Sequence, residues 1–259
     1  MSSTMPIYQI YAVKYAGPFI RPMAKVIWNT DWEKEIHINY YLWVVKGNGE
    51  IVVIDGGMTP LLAQNMKLEG YVSPVEVLKR IGIEVSQIKR LIITHMNFDH
   101  INGVELFPNA TFYVQEKEFN FWVKDPIAKK PPFLMMADPV GNEHLAKLEG
   151  TKRLILLDGD QEILPGMEVL LAPGHTPGLQ VVAVHTAKGK AIIGSDCAHI
   201  FANYEKEIPS CFINDMVAWM RTYEKIKSKV SSLDLLFPGH DMKMWTDYPK
   251  VAEDITLLA

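Results

Sequence analysis

Leu91-Ile92-Ile93-Thr94-His95-Met96-Asn97-Phe98-Asp99-His100-Ile101-Asn102-Gly103 is the stretch of this 259-residue chain in which fold and chemistry are read together. Its first four residues are apolar or β-branched, as in a short buried strand. That run stops on a histidine, and a second histidine and an aspartate follow within five residues. Residues 95, 97 and 99 are expected to alternate on one side of an extended loop, with His100 opening the next helix. Imidazole and carboxylate are ligands that suit Zn²⁺, Fe or Mn²⁺. Such an ion can lower the pKa of a coordinated water from about 15.7 to about 7.

The same pattern recurs along the chain. Ile51-Val52-Val53-Ile54 ends in Asp55, and Ala191-Ile192-Ile193-Gly194-Ser195 ends in Asp196. Val169-Leu170-Leu171-Ala172 reaches His175 through Pro173-Gly174, and Leu233 to Phe237 reaches His240 through Pro238-Gly239. If these strands share one sheet direction, all five groups emerge at one edge, held by rigid strands and brought together by turns. His37, His144 and His185 have no such spacing and read as structural or surface groups. Asp55 precedes Gly56-Gly57 and could cap that turn; a role orienting a ligand is favoured.

Around these runs the chain alternates strands and helices. Asn48-Gly49 separates His37 to Lys46 from Glu50 to Ile54, a hairpin signal. Further strands are expected at Ala110 to Val114, Leu154 to Leu157, Met167 to Ala172, Leu179 to His185, Lys190 to Gly194 and Leu233 to Phe237. Helices are expected at Pro74 to Arg80, Glu116 to Lys124 and Ile213 to Lys229. The last presents Ile213, Met216, Val217, Met220 and Tyr223 as a core-facing stripe. Asp125 to Gly150, rich in proline around Phe133, reads as a lid or insertion.

Bulk properties narrow the function. Hydrophobic residues make up 48% and charged residues 22%, as in a globular protein. A net charge of −4 gives no global positive field for nucleic acid. Cys197 and Cys211 are too few for a disulfide framework, which suits a reducing compartment. No apolar stretch approaches bilayer-spanning length and the first residues lack a signal-peptide pattern, so a cytoplasmic location away from membranes is expected.

Taken in order, the segments Ile54-Asp55-Gly56-Gly57, His95 to His100, Gly174-His175-Thr176-Pro177-Gly178, Gly194-Ser195-Asp196 and Pro238-Gly239-His240-Asp241 resemble the metallo-β-lactamase superfamily, over essentially the whole chain. The resemblance implies a four-layer αβ/βα sandwich, an α/β fold, with residues 1–259 forming one hydrolase domain and a lid near 125–150. Length, the aromatic N-terminal stretch and the Gly-His-Thr-Pro-Gly segment look most like the N-acyl homoserine lactonase branch. By that likeness one metal takes His95, residue 97 and His175, a second takes Asp99, His100 and His240, and Asp196 bridges. Two positions depart from the pattern. Asn97 stands where the family's HxHxDH signature has its second histidine, leaving Asn97 a weak ligand or a supporting donor. His199 stands where the branch has a tyrosine three residues after the bridging aspartate; an imidazole can still donate to an oxyanion.

The implied reaction is hydrolysis of a cyclic ester or amide by a metal-activated water, with Asp99 passing the proton and His199 supporting the oxyanion. The cofactor is a divalent transition metal, zinc foremost with Mn or Fe as alternatives, as one or two ions. The partner is a small molecule, and a homodimer is left open. Trp28, Trp32, Phe121, Trp122, Phe133, Met135, Met136 and Tyr204 are candidate pocket residues, pointing to a flat aromatic or apolar substrate. A glyoxalase II-type thioesterase, an iron redox protein and a non-catalytic metal-binding protein are the alternatives. The thioesterase would call for a basic patch that the sequence does not display.

Overall fold

Asn48 and Gly49 both take positive φ, 51° and 77°, and fold two long strands into the expected hairpin, with Gly47 opposite Glu50. This hairpin starts the larger of two sheets in the computed structural model, which describes residues 5–259. The strands are β1 (Gln9–Pro22), β2 (Glu35–Gly47), β3 (Glu50–Ile54), β4 (Arg90–Ile92), β5 (Thr111–Gln115), β6 (Leu154–Leu157), β7 (Gln161–Leu164), β8 (Met167–Leu171), β9 (Gln180–Thr186), β10 (Gly189–Ser195), β11 (Leu236–Pro238), β12 (Lys250–Ala252) and β13 (Ile255–Leu257). Eight form one sheet in the order β12-β13-β1-β2-β3-β4-β5-β6, and five form another in the order β11-β10-β9-β8-β7.

Alternation along the strands sets the layers. Tyr41, Trp43 and Val45 of β2 turn inward to meet Val169, Val182, Val184 and Ile193 of the second sheet. Leu42 and Val44 turn outward, into a second core with Val77, Leu78, Ile101 and Leu145 of the covering helices. On the far side, Leu170, Val181 and Ile192 pack against Trp219, Tyr223 and Ile226. Helix, sheet, sheet and helix follow one another, which is the four-layer α/β sandwich. Each fully buried aliphatic side chain here contributes roughly 1.5–3 kcal/mol.

Three elements differ from their sequence reading. The long helix begins at Met216, because Asp215 caps it by accepting from the Ala218 amide at 2.9 Å. Its buried stripe is Trp219, Thr222, Tyr223 and Ile226, while Val217 is 60% exposed, so the expected core face was rotated. Trp219 sets that rotation by packing over Gly174, where a Cβ would collide with the indole. The expected helix 116–124 divides into an α-turn, Glu116–Phe119, and a π-helical turn, Asn120–Lys124. Leu233–Leu235 is a 3-10 turn leading into β11.

Among the described residues no helix is long and apolar enough to cross a membrane. Cys197 and Cys211 are both free.

Candidate metal centre

Strand direction gathers the site, although from two sheets rather than one. β3 and β4 run parallel and end beside Asp55 and His95. β10 runs parallel to β11, and β8 and β10 both run antiparallel to β9, so the ends leading to His175, Asp196 and His240 also share one edge. Asn97 does not alternate with Asp99 along an extended loop. It is the N-cap of a helical turn, Phe98–Ile101, that carries both Asp99 and His100. The Phe98 amide is held by the Met136 carbonyl at 3.0 Å, which ties that turn to the expected lid.

Asp196 lies at the middle. Its Oδ2 is 3.9 Å from His95 Nε2, 3.6 Å from His175 Nε2 and 3.2 Å from His199 Nε2. Its Oδ1 is 3.4 Å from His100 Nε2 and 3.0 Å from His240 Nε2. Asp99 Oδ2 is 3.4 Å from His100 Nε2 and 3.7 Å from His240 Nε2. The ligand-type atoms form the groups His95, His175, Asp196 and Asp99, His100, His240, with His199 joining Asp196 and His240 in a third. All these side chains are buried. Gly239 is needed beneath them, since a Cβ there would overlap Asp196 Oδ1.

Hydrogen bonds aim the imidazoles. His175 Nδ1 donates to the Phe212 carbonyl at 2.9 Å, and His240 Nδ1 donates to the Asn39 carbonyl at 3.0 Å. His100 Nδ1 donates to Asp55 Oδ2 at 2.7 Å. The Thr94 hydroxyl donates to Asp55 at 2.8 Å and lies 3.1 Å from His95 Nδ1, which it can receive as an acceptor. Every Nε2 is thereby turned towards the centre, the arrangement of a metal-binding histidine set. Asp55, left with φ of 64°, is the anchor of this support rather than a simple turn cap, and its Oδ1 also receives the Thr94 amide at 2.7 Å.

Buried polar atoms normally find partners. Here His95 Nε2, His100 Nε2, His199 Nε2, Asp99 Oδ1, Asp196 Oδ1 and Asn97 Nδ2 have no hydrogen-bond partner. The Asn97 side-chain amide sits 2.9 Å from His175 Nε2, while His175 Nδ1 meets the Phe212 carbonyl at 2.9 Å. The donor set therefore suits a divalent metal of the zinc, iron or manganese type.

Electrostatics separate two pairs of histidines. Burial holds His175 down at about 4 and, with the neighbouring His100, keeps His95 well below the ordinary imidazole value. Burial also pulls on His100 and His240, but the carboxylates of Asp99 and Asp196 outweigh it, with Asp55 adding to His100, and raise both. In return, burial of Asp99 and Asp196 is overcome by His100 and His240, and both carboxyls are lowered.

A cleft with two lobes opens over the centre. The first, about 360 Å³, is lined by Phe121, Trp122, Phe133 and Met136 and reaches Asn97 and His175. The second, about 200 Å³, reaches Asp99, Asp196, His199 and His240 and includes Arg21 and Lys25. Met135, Met136 and Phe212 line both. Trp28 and Trp32 line neither lobe and are 46% and 71% exposed, while Tyr204 is buried against Tyr223 in the outer core. These three expected pocket residues belong elsewhere, because aromatic character alone does not report which face of the fold a residue occupies.

Glu118 escaped the sequence reading. Fully buried, it accepts from the amides of Met96 and Gly178 at 2.9 Å each and from Trp122 Nε1 at 2.8 Å. It joins the His95 loop, the His175 loop and the aromatic lobe. A Cβ on Gly178 would overlap its backbone nitrogen. An isolated glutamate in a helix gives no sequence signal of this role; only the convergence of three loops reveals it.

The family model described as the metallo-beta-lactamase superfamily matches residues 38–240. An N-acyl homoserine lactonase of a Bacillus species is 27% identical over 209 residues, covering 74% of this chain and 77% of the relative. The N-acyl homoserine lactonase AttM of Rhizobium radiobacter is 24% identical, covering 69% and 68%. The crystal structure of a quorum-quenching N-acyl homoserine lactone hydrolase superposes with a TM-score of 0.78 at 20% identity, over 97% of this chain and 98% of that one. AidC, a dizinc quorum-quenching lactonase solved with a product, gives 0.71 at 17% identity, over 92% and 88%.

Proposed function

The chain belongs to the metallo-beta-lactamase superfamily, and on that premise we propose that it is a zinc-dependent hydrolase that opens a lactone bearing an apolar or aromatic substituent. The observation that carries this reading is the set of buried, inward-turned Nε2 and carboxylate atoms without partners, beneath a cleft that reaches Asn97 and His175 on one side and Asp99, Asp196 and His199 on the other. The named activity of the similar lactonases supports the same reaction class. In this reading His95, His175 and Asp196, aided by Asn97, hold one ion, and Asp99, His100, His240 and Asp196 hold another. A bound divalent ion supplies Lewis acidity for the ester carbonyl and lowers the pKa of water.

The chain's own residues do the rest. Asp99, at the edge of the second lobe, passes the proton to the departing ring oxygen. His199 borders the same lobe with its Nε2 3.2 Å from Asp196 Oδ2, and, protonated there, donates to the oxyanion as the carbonyl carbon becomes tetrahedral. Phe121, Trp122, Phe133 and Met136 receive the substituent and exclude water. Residues 1–259 act as one domain, with the lid region 125–150 walling the cleft through Phe133 and Met136. A small molecule is the partner.

The experiment is incubation of zinc-loaded protein with N-hexanoyl homoserine lactone and a panel of aromatic lactones, followed by mass spectrometry. Products heavier by one water are expected; turnover without that mass, or no turnover of any lactone, overturns the reading.

A further inference from the structure

Arg21 is held on the rim of the second lobe by three contacts, none of them an anion. Its Nη1 donates to the Ile20 carbonyl at 3.0 Å, its Nη2 donates to the Tyr40 hydroxyl at 3.3 Å, and its guanidinium lies 5.6 Å from the Phe19 ring centre. Tyr40 in turn packs edge-on against His240 at 5.4 Å. The guanidinium is thus one side chain removed from the metal centre. Lys25 borders the same lobe, and its carbonyl accepts from the Cys211 amide at 3.1 Å beneath the shared wall. Among the described residues neither cation has a carboxylate within 4.0 Å.

The two lobes differ in chemistry as well as in place. Both lobes are largely apolar, the second through Val26, Ile38, Phe98 and Met135, but the first meets the centre at Asn97 and His175, whereas the second carries Arg21 and Lys25 at its rim and meets the centre at Asp99, Asp196, His199 and His240. A ligand seated across both has an apolar part and an anionic part, with the scissile bond between them over Asp196. A guanidinium fixed by neutral partners keeps donors for a planar carboxylate, and an ammonium beside it adds charge without geometric demand.

Resting on the lactonase-type reading above, we propose that the substrate carries a carboxylate, received by Arg21 and Lys25, on the side opposite its apolar substituent. Arg21 and Lys25 are specificity determinants; they take no part in bond breaking.

The test is kinetic, on the zinc-loaded full chain, with matched lactones: phthalide-5-carboxylate and γ-butyrolactone-γ-carboxylate, each beside its carboxamide, and N-hexanoyl homoserine lactone as neutral reference. At least one carboxylate is expected to show a kcat/KM about tenfold or more above its amide, carried by KM and shrinking as salt is raised. In the Arg21→Gln/Lys25→Gln double variant that ratio falls about tenfold, and Arg21→Lys retains part of it. Equal use of acid and amide, a preference the double variant leaves intact, or turnover of the reference with no turnover of either acid overturns the anion site and leaves the hydrolase reading standing. Absence of turnover for every lactone, the reference included, overturns both.

Discussion

The Asn97 side-chain amide and His175 Nε2 face each other at 2.9 Å, and His175 Nδ1 meets the Phe212 carbonyl at 2.9 Å on the other side of the ring. An amide oxygen is a poorer transition-metal donor than imidazole. Of the two ion positions proposed above, that of His95, His175 and Asp196 is therefore the weaker. Asn97→His is expected to tighten zinc there by at least tenfold, and Asn97→Ala to loosen it, read by chelator competition. Equal zinc affinity in all three proteins would show that residue 97 does not face the ion.

His240 contributes differently, because its Nε2 stands 3.0 Å from Asp196 Oδ1 and 3.7 Å from Asp99 Oδ2, between the two carboxylates. Removing it leaves the two buried acids with His100 between them and His199 beside Asp196 alone. His240→Ala is expected to lose bound metal and turnover together, with metal content measured per chain after purification without added metal. Metal content equal to that of the parent would refute the ligand assignment.

Much of this site was legible because strand runs and ligands share the same peptides. Ile92 sits in β4 and His95 three residues on, so an apolar run followed by a ligand announces both a strand and its functional end. Asp55, His95, His175, Asp196 and His240 all stand at such ends, and the structure brings them together. What sequence spacing could not convey was the assignment of strands to sheets: β3 and β4 lie in one, β8, β10 and β11 in the other. Nor could it convey orientation around an axis. Val217 and Trp219 are both apolar, and only the packing of Trp219 over Gly174 decides which is buried. Trp28 and Trp32 failed as pocket residues for the same reason, and Glu118 was silent because the Met96 and Gly178 amides that it ties together lie 22 and 60 residues away.

The opposed shifts of four clustered histidines give the metal-free protein a stability maximum. His95 and His175 are lowered, so between the unfolded imidazole value of about 6.5 and their folded values the unfolded chain binds the extra protons and stability falls as pH falls. His100 and His240 are raised, so above about 6.5 the folded state binds the extra protons and stability falls as pH rises through their folded values. Melting of chelator-treated protein is expected to show the highest Tm near pH 6.5. The alkaline slope should weaken in His240→Asn and the acid slope in His175→Asn. A Tm that climbs steadily from pH 6 to 9 would contradict this assignment of protons.

Glu118 allows a prediction separate from metal binding. Its carboxylate offers only acceptors, and it meets only donors: the Met96 and Gly178 amides and the Trp122 indole. Burial raises its pKa, while the Met96 amide, the Thr176 hydroxyl, the Gly178 amide and the Trp122 indole draw it back. Glu118→Gln keeps the shape but turns an NH₂ group towards one of these donors, so at least one buried donor loses its acceptor, a cost of about 1–3 kcal/mol. Because the lost contact joins the His95 and His175 loops, the loss should appear in kcat as well as in stability, with zinc content per chain kept. The measurements are the denaturant midpoint, zinc content and steady-state kinetics, with Trp122 emission reporting the altered contact. A stability change below about 0.5 kcal/mol would place Glu118 among ordinary surface-like substitutions and end its role as the tie between the loops.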